Sequence, residues 1–211
     1  MQLDDPARGF TFKRDGALDM RLDTTRGAPC SERFTRWDAE TLEALLRDNA
    51  DEPRSAELAA ALVAAQARSP LQTTTGLATA IRQALPRGLA AEDVTATTRR
   101  VFQALRIAVN YEFEKLDALM LAVPLVLKPG GRAAFLRCAL TVFRWPCGFA
   151  NSRATCCSFH SGEDRRVKLA LKAGAQAGIY SEVSEMLRPS WEEQRANSRS
   201  ASAKLRWAQR A

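Results

Sequence analysis

Residues 2–27 read QLDDPARGFTFKRDGALDMRLDTTRG, and the polarity of this stretch guides the interpretation of the whole chain. Its charged side chains are too dense for a core element, and its glycines favour turns. A solvated N-terminal tail is one interpretation. A tail, however, would expose the rings of Phe10 and Phe12, so we predict a structured loop or lid that carries function.

This stretch is similar to a run found in the bacterial 16S rRNA cytosine-N4 methyltransferases of the RsmH or MraW type, QLD-x-P-x-RGFSF-x-x-DGPLDMRMD-x-x-RG. Residues 97–110, TTRRVFQALRIAVN, resemble the family's ATRTFQALRIAVN, and residues 158–165, SFHSGEDR, resemble its SFHSLEDR. The end of the chain, from Arg188, resembles its closing KPS-x-EE...NPR-x-RSAKLR-x-AER. The resemblance therefore covers most of the chain.

The resemblance implies an α/β fold that is mostly helical as it stands. We expect part of a nucleotide-binding-like (class I, S-adenosylmethionine-dependent) methyltransferase domain with an inserted helical domain. Residues 1–27 would be its active-site and cofactor loop, 28–97 the inserted substrate-recognition domain, and 98–211 its C-terminal part with an atypical insertion at 133–157. The family's G-x-G-G-H turn precedes the position of Gln2, so we expect an N-terminally truncated and interrupted member.

Three short helices are predicted within residues 28–97. Asp38 can cap the first, and Pro53 suits the first turn of the second. The third starts at the threonines of residues 73–75 and stops at Pro86.

Further along the chain, residues 87–98 show little periodicity and are predicted to be a connection. The strongest helical pattern runs from residue 98 to 120. A strand is expected after Arg132, a basic helix from Gly162, and a terminal strand at residues 203–207.

The reaction implied by the resemblance is methyl transfer from S-adenosyl-L-methionine to the N4 amine of a cytidine in small-subunit rRNA. Gln2 matches a family residue that contacts the methyl donor. The amine needs acceptors for its protons. The candidates for that catalytic role are Asp15, Asp19, Asp23, Ser158, His160 and Asp164. The sequence does not decide between these six candidates. For His160, a role in positioning the substrate fits the chemistry better than strong base catalysis does.

The formal net charge of +7 is compatible with an anionic partner such as nucleic acid or an acidic membrane surface. A polar stripe on the predicted long helix consists of Arg99, Gln103, Arg106 and Asn110, and the basic C-terminal stretch contributes Arg199, Lys204 and Arg206. Spacing alone equally allows a solvated helix face. The resemblance favours RNA binding by these residues, with small-subunit rRNA or the small ribosomal subunit as partner.

Residues 133–157 separate the GGR turn from SFHSGEDR, whereas the family joins them within about four residues. The tract is either a true insertion or translated sequence from outside the coding frame. A third hypothesis is a metal site on Cys147, Cys156, Cys157 and His160. Their spacing matches no structural zinc pattern, so no metal is predicted.

No apolar run approaches the roughly 20 residues of a membrane-spanning helix, so no membrane association is predicted. The compartment would be the cytoplasm in a bacterium, and otherwise a mitochondrion or chloroplast. Two alternative functions stay open, namely a catalytically inactive RNA-binding remnant and a helical interaction module.

Overall fold

Helices make up most of the residues that the structure describes, in keeping with the alanine- and leucine-rich stretches of the sequence. The computed structural model describes residues 6–137, 153–158 and 161–211. They form two units, Met1–Glu112 and Phe113–Ala211. The helices are α1 (Cys30–Phe34), α2 (Ala39–Ala50), α3 (Ser55–Arg68), α4 (Thr74–Ala84), α5 (Ala91–Asn110), α6 (Glu112–Val126), α7 (Ser161–Gln176) and α8 (Trp191–Ala196). The strands are β1 (Arg132–Arg137), β2 (Arg153–Ser158), β3 (Tyr180–Val183) and β4 (Lys204–Arg210).

Local capping explains where the predicted short helices begin. The Asp38 carboxylate accepts a hydrogen bond of 2.8 Å from the amide of Thr41, which confirms its role as the N-cap of α2. The Thr73 hydroxyl caps α4 in the same way, through the amide of Gly76 at 3.1 Å. The prediction for Pro53 was wrong, because α3 begins at Ser55 and leaves this proline before its first turn.

The first unit has a core that includes the polar N-terminal stretch. Leu18 and Met20 are buried with side chains from α1 to α5, and Phe10 and Phe12 pack against the same core. The Phe12 ring meets the Phe102 ring edge-on, with centroids 5.3 Å apart. The described part of this stretch, residues 6–27, is therefore a packed loop and not a solvated tail.

Helix α5 starts earlier than its sequence pattern predicted. Residues 87–98 were expected to be a connection, yet α5 begins at Ala91. Glu92 and Asp93 lie in its first turn, where carboxylates are favourable near the helix N-terminus. The hydroxyl of Thr98 bonds to the carbonyl of Val94 at 2.8 Å, so a β-branched residue of poor helix propensity is accommodated.

The predicted helix over residues 98–120 is also interrupted. Tyr111 adopts a left-handed backbone conformation with φ of 53° and caps the C-terminus of α5, and α6 starts at the next residue. The apolar face expected to be continuous is thus divided between two cores. Phe102 and Leu105 belong to the first unit, whereas Leu116 and Met120 belong to the second.

The second unit is built on a four-stranded sheet with strand order β2-β1-β4-β3. Strand β1 pairs in parallel with β2 and antiparallel with β4, and β3 pairs antiparallel with β4. The strand expected after Arg132, the helix expected from Gly162 and the terminal strand are all present. Strand β2 was not predicted, and it lies at the end of the tract 133–157.

The fold class is therefore mixed α/β and mostly helical, as the sequence predicted. No helix in the described residues is long and apolar enough to cross a membrane. The assignment of residues 28–97 as an inserted domain stays a prediction.

Gly9 is the glycine whose replacement should cost most stability. Its φ is 72°, and an added Cβ would clash with the carbonyl of Ala17 and lie 2.7 Å from the amide of Asp19. We expect Gly9→Ala to lower the free energy of unfolding by at least about 2 kcal/mol, because conformational strain and backbone overlap add. The measurement is urea denaturation.

Gly88 provides the matched control for that measurement. It also has a positive φ, of 90°, but an added Cβ meets nothing within 4 Å. Gly88→Ala should therefore lower the free energy of unfolding only by the cost of conformational strain, about 1 kcal/mol. Equal losses in the two variants would contradict the close packing at Gly9.

Candidate functional site

The loop of residues 6–27 is held in shape mainly by its own backbone and by Arg8. It is here named the acidic loop after its three candidate carboxylates, Asp15, Asp19 and Asp23, although its five basic residues give it a formal net charge of +2. The amide of Met20 donates to the carbonyl of Arg8 at 3.0 Å. The Arg8 guanidinium donates in turn to the carbonyls of Arg21 and Leu22 at 3.0 and 2.8 Å. Several hydrogen bonds thus join this short segment to residues far from it in the sequence. They hold Asp19, Met20 and Arg21 in one fixed geometry.

Asn110, at the end of α5, fastens the acidic loop to the helix. Its side-chain NH2 donates to the carbonyl of Met20 at 2.7 Å, and its side-chain oxygen accepts the amide of Leu22 at 2.7 Å. Met20 is fully buried and has a φ of 61°, which is unfavourable for a residue with a side chain. The Asn110 amide thus holds a strained turn in place.

Asp19 and Arg21 form the most tightly bound charged pair of the acidic loop. The carboxylate accepts from the guanidinium at 2.6 and 2.8 Å. These hydrogen bonds lower the pKa of Asp19 below its ordinary value. The group is therefore ionised at neutral pH, as an acceptor or a positioning group but not as a strong base.

The two other carboxylates predicted in this loop also have partners. Asp15 accepts from the hydroxyl of Thr75 and from its amide, the latter at 3.4 Å, and the hydroxyl bond lowers the pKa of Asp15. Asp23 accepts from the amide and hydroxyl of Thr25 at 3.0 and 2.6 Å. Asp15 thus ties the loop to α4, and Asp23 shapes a local turn.

The polar stripe of α5 makes more contacts within the protein than spacing alone indicated. Gln103 donates to the carbonyl of Asn49 at 3.3 Å, and Arg106 pairs with Glu112 at 2.9 and 3.1 Å. Asn110 is buried, whereas Arg99 is exposed. RNA contact by these four residues stays a prediction, and Arg99 is the one that solvent reaches most freely.

In the second unit, two predicted site residues are brought into contact with each other. The Asp164 carboxylate accepts from Arg206 at 2.9 and 3.3 Å, and both side chains are largely buried. Ser158 and Lys204 lie in one row across the sheet, each opposite Arg137. Arg199 lies in the 3-10 helix Ser198–Ser202. Gln2 and His160 lie outside the described residues.

Comparison with known proteins gives the family. Residues 1–140 match the model of the MraW methylase family. The chain belongs to this family. It is 44% identical over 216 residues to the "Ribosomal RNA small subunit methyltransferase H 1" of Agathobacter rectalis. The matched region covers 100% of this chain and 56% of that protein. A protein of the same name from Lachnoclostridium phytofermentans is 42% identical, over 99% of this chain and 52% of its own length.

This MraW family chain spans about half the length of the curated relatives that it matches. A cavity of about 700 Å³ lies near Arg82 and Arg87, and their positive charge does not suit a positively charged sulfonium. This cavity is therefore not a candidate for the donor site.

The buried ion pair of Glu52 and Arg100 is a feature that the sequence did not reveal. The carboxylate is 2.5 Å from the guanidinium, and the Glu52 side chain is fully buried. Glu52 also accepts the amide of Arg54 at 3.1 Å, which holds the start of α3 near α5. No local signal in the sequence connects residues 48 positions apart.

Removal of the Asn110 side chain should test how far the acidic loop depends on it. Asn110→Ala leaves the amide of Leu22 and the carbonyl of Met20 without their partner. We expect a loss of about 2–3 kcal/mol in the free energy of unfolding. Arg99→Ala, on the exposed side of the same helix, should change it by less than about 0.5 kcal/mol. Equal effects would contradict the proposed fastening.

The Asp19–Arg21 pair should contribute to acid stability. Because the pKa of Asp19 is lowered in the folded chain, its contribution is present above the ordinary value of 3.8 and is lost as pH falls through the folded pKa. Asp19→Asn should therefore flatten the fall in stability below about pH 4. Urea denaturation at several pH values measures this slope.

A double-mutant cycle makes the attribution specific. Once Arg21→Met has removed the partner, adding Asp19→Asn should change the acid slope much less than it does in the unaltered chain. If the effects of the two substitutions are additive, the charge of Asp19 stabilises the fold through a group other than Arg21.

Proposed function

We propose that this chain is part of an enzyme that transfers a methyl group from S-adenosyl-L-methionine to the N4 amine of a cytidine in small-subunit rRNA. The observation that carries the proposal is the acidic loop, whose family motif is held in one geometry with ionised carboxylates. Family membership and the names of the relatives support the same reaction.

The chemistry explains why a rigid polar loop is useful. The cytidine amine is a poor nucleophile, because its lone pair is delocalised into the ring. Its proton becomes acidic only as the methyl group arrives, so the chain needs to orient the amine and accept its protons late. An ionised carboxylate of low pKa suits that task better than a strong base does.

We assign the acceptor role to the acidic loop and give Asp19 preference over Asp15 and Asp23. Asp19 follows the buried Leu18 and precedes the strained Met20, so its position is the most firmly fixed of the three. Arg21 orients its carboxylate from one side. Ser158, His160 and Asp164 remain proposed contributors from the second unit, and of these Asp164 is paired with Arg206.

Binding of rRNA is proposed to use cations of both units, with residues 28–97 as the substrate-recognition part. From Arg188 onward the chain has six basic and two acidic residues. Arg99 is the first candidate for a phosphate contact, because it is exposed whereas Arg106 and Arg206 are already paired. Arg199 and Lys204 remain candidates by resemblance to the family. The enzyme would act where small subunits are made, in bacterial cytoplasm or in an organelle.

The methyl donor is proposed to be bound by residues that the described ranges do not contain, with Gln2 as the first candidate. When bound, the donor supplies the electrophilic methyl group. This chain's own residues then hold the target cytidine and bind the hydrogens of its amine. We propose no metal in this reaction.

Two other functions each have an observation in their favour. The net charge of +7 favours a protein that binds RNA, a function that needs no catalysis. Leu121, Leu125 and Val126 are 77%, 82% and 72% exposed on α6, which favours a helical module that binds another protein.

One set of measurements on the full chain separates the three functions. If the proposal holds, calorimetry detects binding of S-adenosyl-L-methionine, and mass spectrometry detects N4-methylcytidine in small subunits incubated with both. Salt-sensitive binding to small-subunit rRNA without donor binding indicates the inactive RNA-binding protein. If neither ligand binds, the interaction module is left.

Arg99→Ala is the matched variant for the RNA measurement. Loss of one phosphate contact should reduce the magnitude of the slope of log affinity against log salt by about 1. Donor binding should not change. An unaltered slope would remove Arg99 from the proposed RNA surface.

A further inference from the structure

Tyr111 combines exposure with a backbone conformation that tyrosine rarely adopts. It is 49% exposed and has a φ of 53°, at the junction of α5 and α6. Glycine or asparagine is the usual residue at a left-handed helix cap, because a bulky side chain is unfavourable there. An exposed ring in a costly conformation suggests a role other than stability.

The Tyr111 ring is fixed by a cation on one side. The Arg33 guanidinium carbon lies 4.6 Å from the ring centroid, which is a cation–π arrangement. Arg33 is itself held by the carbonyls of Ala28 and Ala108, at 3.3 and 3.4 Å. A flat aromatic surface with an adjacent positive charge is thereby presented to solvent.

The backbone at Tyr111 is also tied to the acidic loop. The preceding residue, Asn110, bonds to Met20 and Leu22, and the Leu22 side chain is 45% exposed. The backbone that carries the ring is therefore held beside the segment that the proposed function gives to the acceptor cytidine. A nucleotide adjoining that cytidine would need an apolar, flat surface once it left its own base stack.

We propose that Tyr111 and Arg33 form a stacking platform for an unpaired rRNA base next to the target cytidine. This inference rests on the proposed function and adds a second nucleotide site to it. The ring stacks on the base, and the guanidinium adds cation–π attraction and a charge for the nearby phosphate. Such a site tolerates any base, because every base has a π face.

The test uses two substitutions at position 111 in the full chain. Tyr111→Phe keeps the ring and should bind RNA like the unaltered chain. Tyr111→Gly removes the ring at a position whose φ suits glycine, so its melting temperature should equal or exceed that of the unaltered chain. The glycine variant should nevertheless bind a fluorescein-labelled single-stranded RNA about fivefold more weakly, or worse, in fluorescence anisotropy.

A second strand with the same phosphates but abasic residues separates stacking from charge. Tyr111→Gly should bind the abasic strand as well as the unaltered chain does, and its salt slope should be unaltered. An equal loss on both strands would overturn stacking. Unaltered affinity of the glycine variant for the base-containing strand would overturn the platform.

Further outcomes distinguish this inference from the proposed function. If the unaltered chain binds no RNA, both are overturned. If it binds RNA and methylates small subunits while Tyr111→Gly behaves identically, only the platform is overturned. If Tyr111→Gly loses calorimetric affinity for S-adenosyl-L-methionine but keeps RNA binding, the ring faces the donor's adenine and the RNA assignment is overturned.

Discussion

The side-chain amide of Asn110 is the interaction on which the first unit most depends. One NH2 group and one carbonyl oxygen join the end of α5 to the carbonyl of the strained Met20 and to the amide of Leu22. The same NH2 group donates to the carbonyl of Arg106 at 2.8 Å, which closes the last turn of the helix. Few other side chains could donate and accept at once in this buried space, so helix end and loop are fixed together.

Short-range signals were sufficient for the parts of the fold that short-range forces determine. Asp38 was recognisable as a cap, and the threonines of residues 73–75 as a helix start, because each capping bond is made to the first turn of the helix that it begins. The break at Tyr111 was not recognisable, because the groups that hold the preceding Asn110, at Met20 and Leu22, are 90 and 88 residues away from it. The apolar pattern continues across the break and therefore did not predict it. Each half of the pattern packs into a different core.

Prediction from the sequence has the same limit for the charged residues of the candidate site. Sequence motifs made Asp19, Asp164 and Arg206 candidates, but they could not show that Asp164 and Arg206 pair across 42 positions. A paired arginine contributes less free charge to a phosphate surface than a formal count suggests. The proposed RNA-binding surface is therefore better sought at exposed cations such as Arg99 than at cations that are already paired, such as Arg206.

The packing of the acidic loop argues against its moving as a lid. Leu18 and Met20 are 1% and 0% exposed, and the amide of Leu18 bonds to the carbonyl of Gln72 at 2.8 Å. Lifting the loop would expose two large side chains, at about 1.5–3 kcal/mol each, and would break several backbone hydrogen bonds. The proposed reaction would gain from this stiffness, because misplacement of a weakly nucleophilic amine costs rate directly. In that proposal the acidic loop is a fixed wall against which the base is held.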